Sequence, residues 1–282
     1  MTAPSVSGPG AQQGRKAQDL KRVLVALDPA AECLAALETA ARLAAQSEAE
    51  LVGLFVEESE LLEAAALPVT RVIRGSDFTL DRLDRSVMEQ GLKAWAAQAR
   101  AHLTAVAERW QVQASFRVAR GDLAEALLAE ARRCDLLALG TVGRVSQRNR
   151  IGTTAQRMAR QAPCSVLVMR RDETPSLPVV VLFEGNERAL AFGSALARMQ
   201  GRGLEIVAVD ADRLATAKAW LAEQDLSATV EEIATDDAER LSEQLASQAV
   251  GIVVLERAGA LGGAIDTDRV LAGPPSSVIL VG

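Results

Sequence analysis

The segment Leu136-Leu137-Ala138-Leu139-Gly140-Thr141-Val142-Gly143, with Gly152-Thr153-Thr154 after eight intervening residues, decides the fold class. Four apolar residues ending on a glycine read as a buried strand that runs into a tight turn. The Gly-Thr-Thr step beyond it opens a helix. Such a passage leaves backbone N–H groups bare at the helix start, with the positive end of the helix dipole behind them. That is equipment for holding a phosphate. From Gly140 to Arg171 the chain carries seven arginines (Arg144, Arg148, Arg150, Arg157, Arg160, Arg170 and Arg171) and no acid, although the whole chain has a formal net charge of −6. The loop lacks the Gly-Lys-Thr/Ser of a Walker loop, and it does not follow the first strand as a Rossmann fingerprint would.

Upstream, residues 22–27 form an apolar run ending at Asp28-Pro29, a buried-strand pattern. Residues 32–46 repeat apolar side chains at helical spacing, and 50–56 read as a second strand. Residues 57–86 are less regular, and form either a lid or a packing insertion. A long amphipathic helix is expected over 87–111, with Met88, Leu92, Trp95, Ala99, Val106 and Trp110 on one side and His102, a structural residue, at the stripe's edge. A strand at 112–118 follows, then a helix capped by Asp122, then strands at 135–139 and 165–169. Strands alternating with helices imply an α/β fold with parallel pairing, right-handed crossovers and a sheet covered on both faces. In such sheets ligands sit beyond the carboxyl ends of the strands, where Asp28, Val56 and Gly140 fall.

A Pro-bearing connector at 172–178 leads into a second copy of this order. It has strands at 179–183, 204–209, 228–234, 251–255 and 277–281, and helices at 187–200, 238–248 and between the second and third strands. Glu184 stands where Asp28 stood. The sequence Gly259-Ala260-Leu261-Gly262 comes three residues late and is followed by Gly273-Pro274-Pro275, so the second half reads as lacking a phosphate loop. The final apolar strands of the two halves are the natural edges to pair with each other, because an unpaired apolar edge is a liability.

Bulk properties narrow the function. The 282 residues are 49% apolar and only 3% aromatic, which suits α/β layers. No apolar run approaches a membrane span, and the start of the chain lacks the apolar stretch of a signal peptide. Residues 1–20 read as a disordered arm. Cys33, Cys134 and Cys164 have no metal or redox spacing, which fits small buried hydrophobes in a reducing cytoplasm. Residues 1–171 carry 23 basic and 19 acidic groups (+4), and residues 172–282 carry 8 and 18 (−10). The acidic half argues against nucleic acid as a partner, and the local arginine cluster suits a small anion.

These residues together resemble the universal stress protein family in a tandem form. The resemblance rests on the strand ending in Asp28, on Cys134-Asp135-Leu136-Leu137-Ala138-Leu139-Gly140 before Gly143, on Gly152-Thr153, and on Ala162-Pro163-Cys164-Ser165-Val166-Leu167-Val168. It covers residues 21–171 by motif and 178–282 in layout only, as a degenerate second domain. It implies two Rossmann-like, adenine nucleotide alpha hydrolase-like domains, each a five-stranded parallel sheet flanked by helices. It further implies ATP or another adenine nucleotide, with or without Mg2+. Asp28 would meet the adenosine, Val56 the adenine, and Gly140, Gly143, Gly152, Thr153 and Thr154 the ribose and phosphates. Eight residues (144–151) separate Gly143 from Gly152, one fewer than the family pattern.

Each of these residues also has an ordinary structural reading. Asp28 serves as a helix N-cap, a ligand contact, or both. Val56 suits the core as well as adenine, and the arginines suit an exposed helix as well as an anion. No Walker-type lysine, carboxylate pair or partnered histidine accompanies the loop, so binding is favoured over turnover. The expected protein is a cytoplasmic regulatory nucleotide binder with an unidentified protein partner, an internal pseudo-dimer and the option of homodimerisation. A same-fold scaffold without nucleotide, and a slow ATPase or adenylating enzyme, are the alternatives.

Overall fold

A strand whose consecutive residues are all apolar must be covered on both faces. Val23, Leu24 and Val25 form such a run. In the computed structural model of the chain their strand, β1 (Arg22–Ala26), lies inside a sheet with helices on both sides. The structure describes residues 20–28, 32–59, 63, 71–73, 80–82, 85–140, 152–170, 176–233, 250–257 and 277–282. After β1 come α1 (Glu32–Ser47), β2 (Glu50–Glu58), an antiparallel ribbon of β3 (Arg71–Ile73) and β4 (Leu80–Arg82), and α2 (Arg85–Trp110). Then follow β5 (Ala114–Gly121), α3 (Leu123–Ala131), β6 (Leu136–Gly140), α4 (Thr153–Gln161) and β7 (Ser165–Met169). The second half supplies β8 (Val179–Phe183), α5 (Glu187–Gln200), β9 (Leu204–Ala208), α6 (Ala211–Glu223), β10 (Thr229–Glu232), β11 (Ile252–Glu256) and β12 (Ser277–Val281).

These strands make one ten-stranded sheet in the order β10-β9-β8-β11-β12-β7-β6-β1-β2-β5. Each half contributes five parallel strands in the same relative order, with its own first strand central. The two strands expected to pair do so: β7 and β12 run antiparallel, with Leu167 opposite Ile279 and Val168 opposite Val278. The halves therefore share one sheet, and each removes the apolar edge that the other would expose. At the seam, the serine that starts each strand accepts from the N–H just past the end of the other. Arg170 N donates to Ser277 Oγ at 2.9 Å and Gly282 N donates to Ser165 Oγ at 3.4 Å.

Side-chain alternation divides the apolar residues into two cores. One, with Val23, Val25, Leu51 and Phe55, is covered by α1, α2, α5 and α6. The other, with Leu24, Val52, Leu54, Val56, Leu137 and Leu139, is covered by α3 and α4. Right-handed crossovers dictate this split. Moving outward from β1 through β2 to β5 puts helices on one face, and returning across β1 to β6 and β7 puts them on the other. Phe55, Phe183 and Phe192 are fully buried, and such side chains contribute about 1.5–3 kcal/mol each by leaving water. Gly193 lets α5 press onto β8, since a Cβ there would overlap the Val181 Cγ2 methyl.

Several details differ from the sequence reading. The strand expected at 112–118 begins two residues later, because Gln111 takes a left-handed conformation (φ 54°) and Val112 N donates to Ala107 O at 3.0 Å. That helix-closing pattern holds Val112 in the turn. The irregular stretch 57–86 contains the end of β2 and the β3–β4 ribbon. Leu20, at the end of the expected arm, is already buried in the core. The helix expected at 238–248 and the loop at 259–262 lie outside the described residues. Cys33 and Cys164 are buried and Cys134 half-buried, all as free thiols. Burial pushes the Cys134 thiol up to about 12 and the Cys164 thiol up to about 11, so both stay protonated at neutral pH.

Candidate functional site

The carboxyl edge of the first half is built by register. β1 pairs with β2 so that Ala26 faces Leu54, and Leu27 N donates to Leu54 O at 2.8 Å. Two residues further on, Asp28 comes level with Val56. On the other side β1 pairs with β6, Val25 facing Ala138, which brings the end of β1 level with Gly140. Alternation places Leu24, Ala26 and then Asp28 on one face, the face to which Val52, Leu54 and Val56 also point. That face is covered by α3 over β1, β2 and β5, and by α4, through Ala155, Met158 and Ala159, beside α3 and over β7. Asp28 and Gly140 are half-buried and Val56 is buried. The fold thus brings Asp28, Val56 and Gly140 to one edge of the sheet, whose face there is shared by α3 and α4.

The start of α4 differs from those of α3, α5 and α6. Gly152 is its N-cap, extended at φ −62° and ψ 149°, and no side chain caps the helix. Its first turn holds no acid. Gln156 N donates back to Gly152 O at 3.2 Å, so helical bonding begins there and the N–H groups of Thr153, Thr154 and Ala155 precede the ladder. Thr153 is exposed and Thr154 half-buried. By contrast, α3, α5 and α6 are capped by the side chains of Asp122, Asn186 and Asp210, which accept from Glu125 N, Arg188 N and Arg213 N. Gly143 lies outside the described residues, as do Arg144, Arg148, Arg150 and Arg171.

Arg157 and Arg170 are each fixed against another element. Arg157 turns to α3, hydrogen-bonding Glu125 and lying 3.6 Å from Asp122 Oδ1, and its Nε donates to Gln161 Oε1 at 3.1 Å. Arg170 is buried at the seam, where burial lowers its pKa. Beside Val56, Glu57 is paired with Arg120 of β5 at 2.9 Å, which offsets one carboxylate at the strand ends. Among the described residues, no group of three or more His, Cys, Asp or Glu is placed to hold a metal ion, and no described helix is long and apolar enough to cross a membrane.

The corresponding edge of the second half is finished differently, in a way the sequence reading missed. β8 pairs with β11, Val179 facing Ile252, as Val23 of β1 faces Leu136 of β6. Glu256 therefore stands where Gly140 stands, just as Glu184 stands where Asp28 does. Glu256 Oε1 accepts from the backbone N–H groups of Glu184, Gly185 and Asn186 at 2.8, 3.1 and 3.0 Å. The signal was available: aligning Ile252-Val253-Val254-Leu255-Glu256 with Leu136-Leu137-Ala138-Leu139-Gly140 puts a carboxylate in place of the glycine. The next residue, Arg257, reaches across to the first half. Its guanidinium donates to Ala162 O, at the carboxyl end of α4, and to Cys164 O at 2.9 Å.

Known structures share this architecture. A protein of unknown function from Pseudomonas aeruginosa PAO1 is 18% identical, with 94% of this chain and 93% of that one covered, at a TM-score of 0.57. A candidate universal stress protein from Pseudomonas aeruginosa UCBPP-PA14 is 19% identical, with 95% of each chain covered, at a TM-score of 0.56. Both speak for the fold alone. A universal stress protein family protein from Arabidopsis thaliana with AMP bound is 18% identical, with 54% of this chain and 92% of that one covered. Its TM-score of 0.37 is too low to bear on the present site. No curated protein matches the chain. The pattern that describes the Universal stress protein family matches residues 19–170, more than half of the sequence, and the chain belongs to that family.

Proposed function

We propose that the first half, residues 21–171, binds ATP or a related adenine nucleotide and that the chain acts as a cytoplasmic stress-response regulator with little or no turnover. Asp28 meets the adenosine, Val56 the adenine, and Gly140, Gly143, Gly152, Thr153 and Thr154 hold the ribose and phosphates. The observation that carries this reading is the start of α4. It is a helix N-terminus without a side-chain cap or an acid in its first turn, on the face that Asp28 and Val56 share. A phosphate supplies the missing acceptor. Charge-assisted hydrogen bonds contribute about 1.5–3 kcal/mol each. Three or four of them, with adenine burial, reach the ~8 kcal/mol of micromolar affinity after association costs. The second half, residues 178–282, packs as a partner for the first, and occupancy changes the surface offered to a protein that reads the signal.

The test is mass analysis of small molecules released when the freshly purified protein is denatured, together with calorimetry on adding Mg-ATP. An adenine nucleotide is expected, or heat of binding with a dissociation constant near the micromolar range. Replacing Gly140→Asp together with Gly143→Asp should weaken binding at least tenfold while the protein stays folded, because carboxylates there repel phosphate. A blank in both assays on the unmodified protein, or unchanged affinity in the double variant, overturns the proposal.

A further inference from the structure

The turn between β8 and α5 forms a receptacle for an oxyanion. Three successive backbone N–H groups, from Glu184, Gly185 and Asn186, converge on Oε1 of Glu256 at 2.8–3.1 Å. Gly185 sits at φ 129°, a conformation open to glycine, and that bend aims neighbouring N–H groups the same way. Arg213 braces the turn from outside, donating from Nε to Glu184 O at 2.7 Å while its terminal nitrogen pairs with Asp210. The Glu256 residue is only 7% exposed. A buried carboxylate is tolerated where donors surround it, and here the donors come from a strand and turn about seventy residues away in sequence.

The geometry points to an anion site in the second half that the chain fills with its own side chain. Glu256 is an internal ligand: it closes this edge to external phosphates and carboxylates, and the receptacle accepts a small carboxylate once the Glu256 carboxylate is removed. The site takes a compact monoanion and not a nucleotide, because the space opened is no larger than the carboxylate side chain that leaves it and the three amides converge on a single oxygen. In Glu256→Ala the excised part of the side chain is the size of acetate, so acetate fits the gap best.

The experiment uses the full-length chain. Thermal midpoints of the unmodified protein, Glu256→Ala and Glu256→Gln are measured against sodium acetate, with sodium chloride holding ionic strength constant. Glu256→Ala is expected to melt below the unmodified protein and to recover along a saturable acetate curve, while propionate recovers less and chloride nothing. Where Glu256→Ala is recovered unfolded, refolding in acetate but not in chloride is the equivalent readout. Glu256→Gln keeps an acceptor oxygen but loses the charge, so the amide proton resonances of Glu184, Gly185 and Asn186 should shift together, away from their positions in the unmodified protein. Equal responses to acetate and chloride, or three unmoved amide resonances in Glu256→Gln, overturn the inference. None of these readouts depends on nucleotide binding in the first half, so the two proposals fail separately.

Discussion

The two halves of the sheet repeat the same strand order, but they finish their carboxyl ends in opposite ways. In the first, β6 stops at Gly140 and the helix beyond starts uncapped at Gly152. In the second, β11 stops at Glu256, whose carboxylate takes three amides of the neighbouring turn. The repeat resides in apolar strands, which need only be hydrophobic and of the right length. The chemistry resides in single residues at the strand ends, where no packing constraint forces the halves to agree. The turn beside the strand end differs as well: Gly185, one of the three donors to Glu256, stands where the first half has Pro29, which carries no N–H.

The largest effect should come from testing how the halves pack. In the second half α5 rests on β8 through Gly193, where any Cβ overlaps the stiff, branched Val181. In the first half a Cβ at Gly53 would come within 2.6 and 2.7 Å of the methyl ends of Leu27 and Leu103, which can move aside. Gly193→Ala should cost about 3 kcal/mol and Gly53→Ala about 1 kcal/mol in urea denaturation. Equal losses would mean that the two helix layers are equally tolerant.

The seam comes next. Arg257→Ala removes a half-buried guanidinium from Ala162 O and Cys164 O, leaving both carbonyls short of a donor where the second half meets α4. A loss of about 2 kcal/mol is expected. Arg257→Lys should recover only part of it, because an ammonium lacks the planar fork. No loss in Arg257→Ala would show that strand pairing alone holds the halves together.

The smallest effects distinguish the helix starts. Asp122→Ala removes the side-chain cap of α3 and should cost about 1 kcal/mol. Gly152→Asp supplies α4 with the cap and first-turn charge that it lacks, and should add about 0.5 kcal/mol. The same carboxylate should oppose nucleotide binding. Higher stability with weaker binding in one variant sharpens the contrast between the halves, and destabilisation by Gly152→Asp breaks it.

Much of this was readable beforehand, for local reasons. The apolar runs and their periods marked β1, β2, β6 to β9 and α1, α2, α3 and α5, and the Asp122 cap was legible from an acid before a helical pattern. The pairing of Ser165–Met169 with Ser277–Val281 followed from the cost of leaving apolar strands unpaired. The surroundings of Arg157 and Arg170 were not readable. Side chains adjacent in sequence diverge in space, so Arg157 serves α3 and Arg170 is buried at the seam.

Hydrophobic spacing and strand-end residues, both properties of short stretches, were enough to determine a repeated parallel α/β chain whose two halves differ at their strand ends. The tertiary structure alone decided that Arg257 reaches α4 and that Glu256 fills the second edge. Each of these depends on groups tens of residues apart, and only the register between strands brings a carboxylate or guanidinium within hydrogen-bond distance of a particular backbone atom.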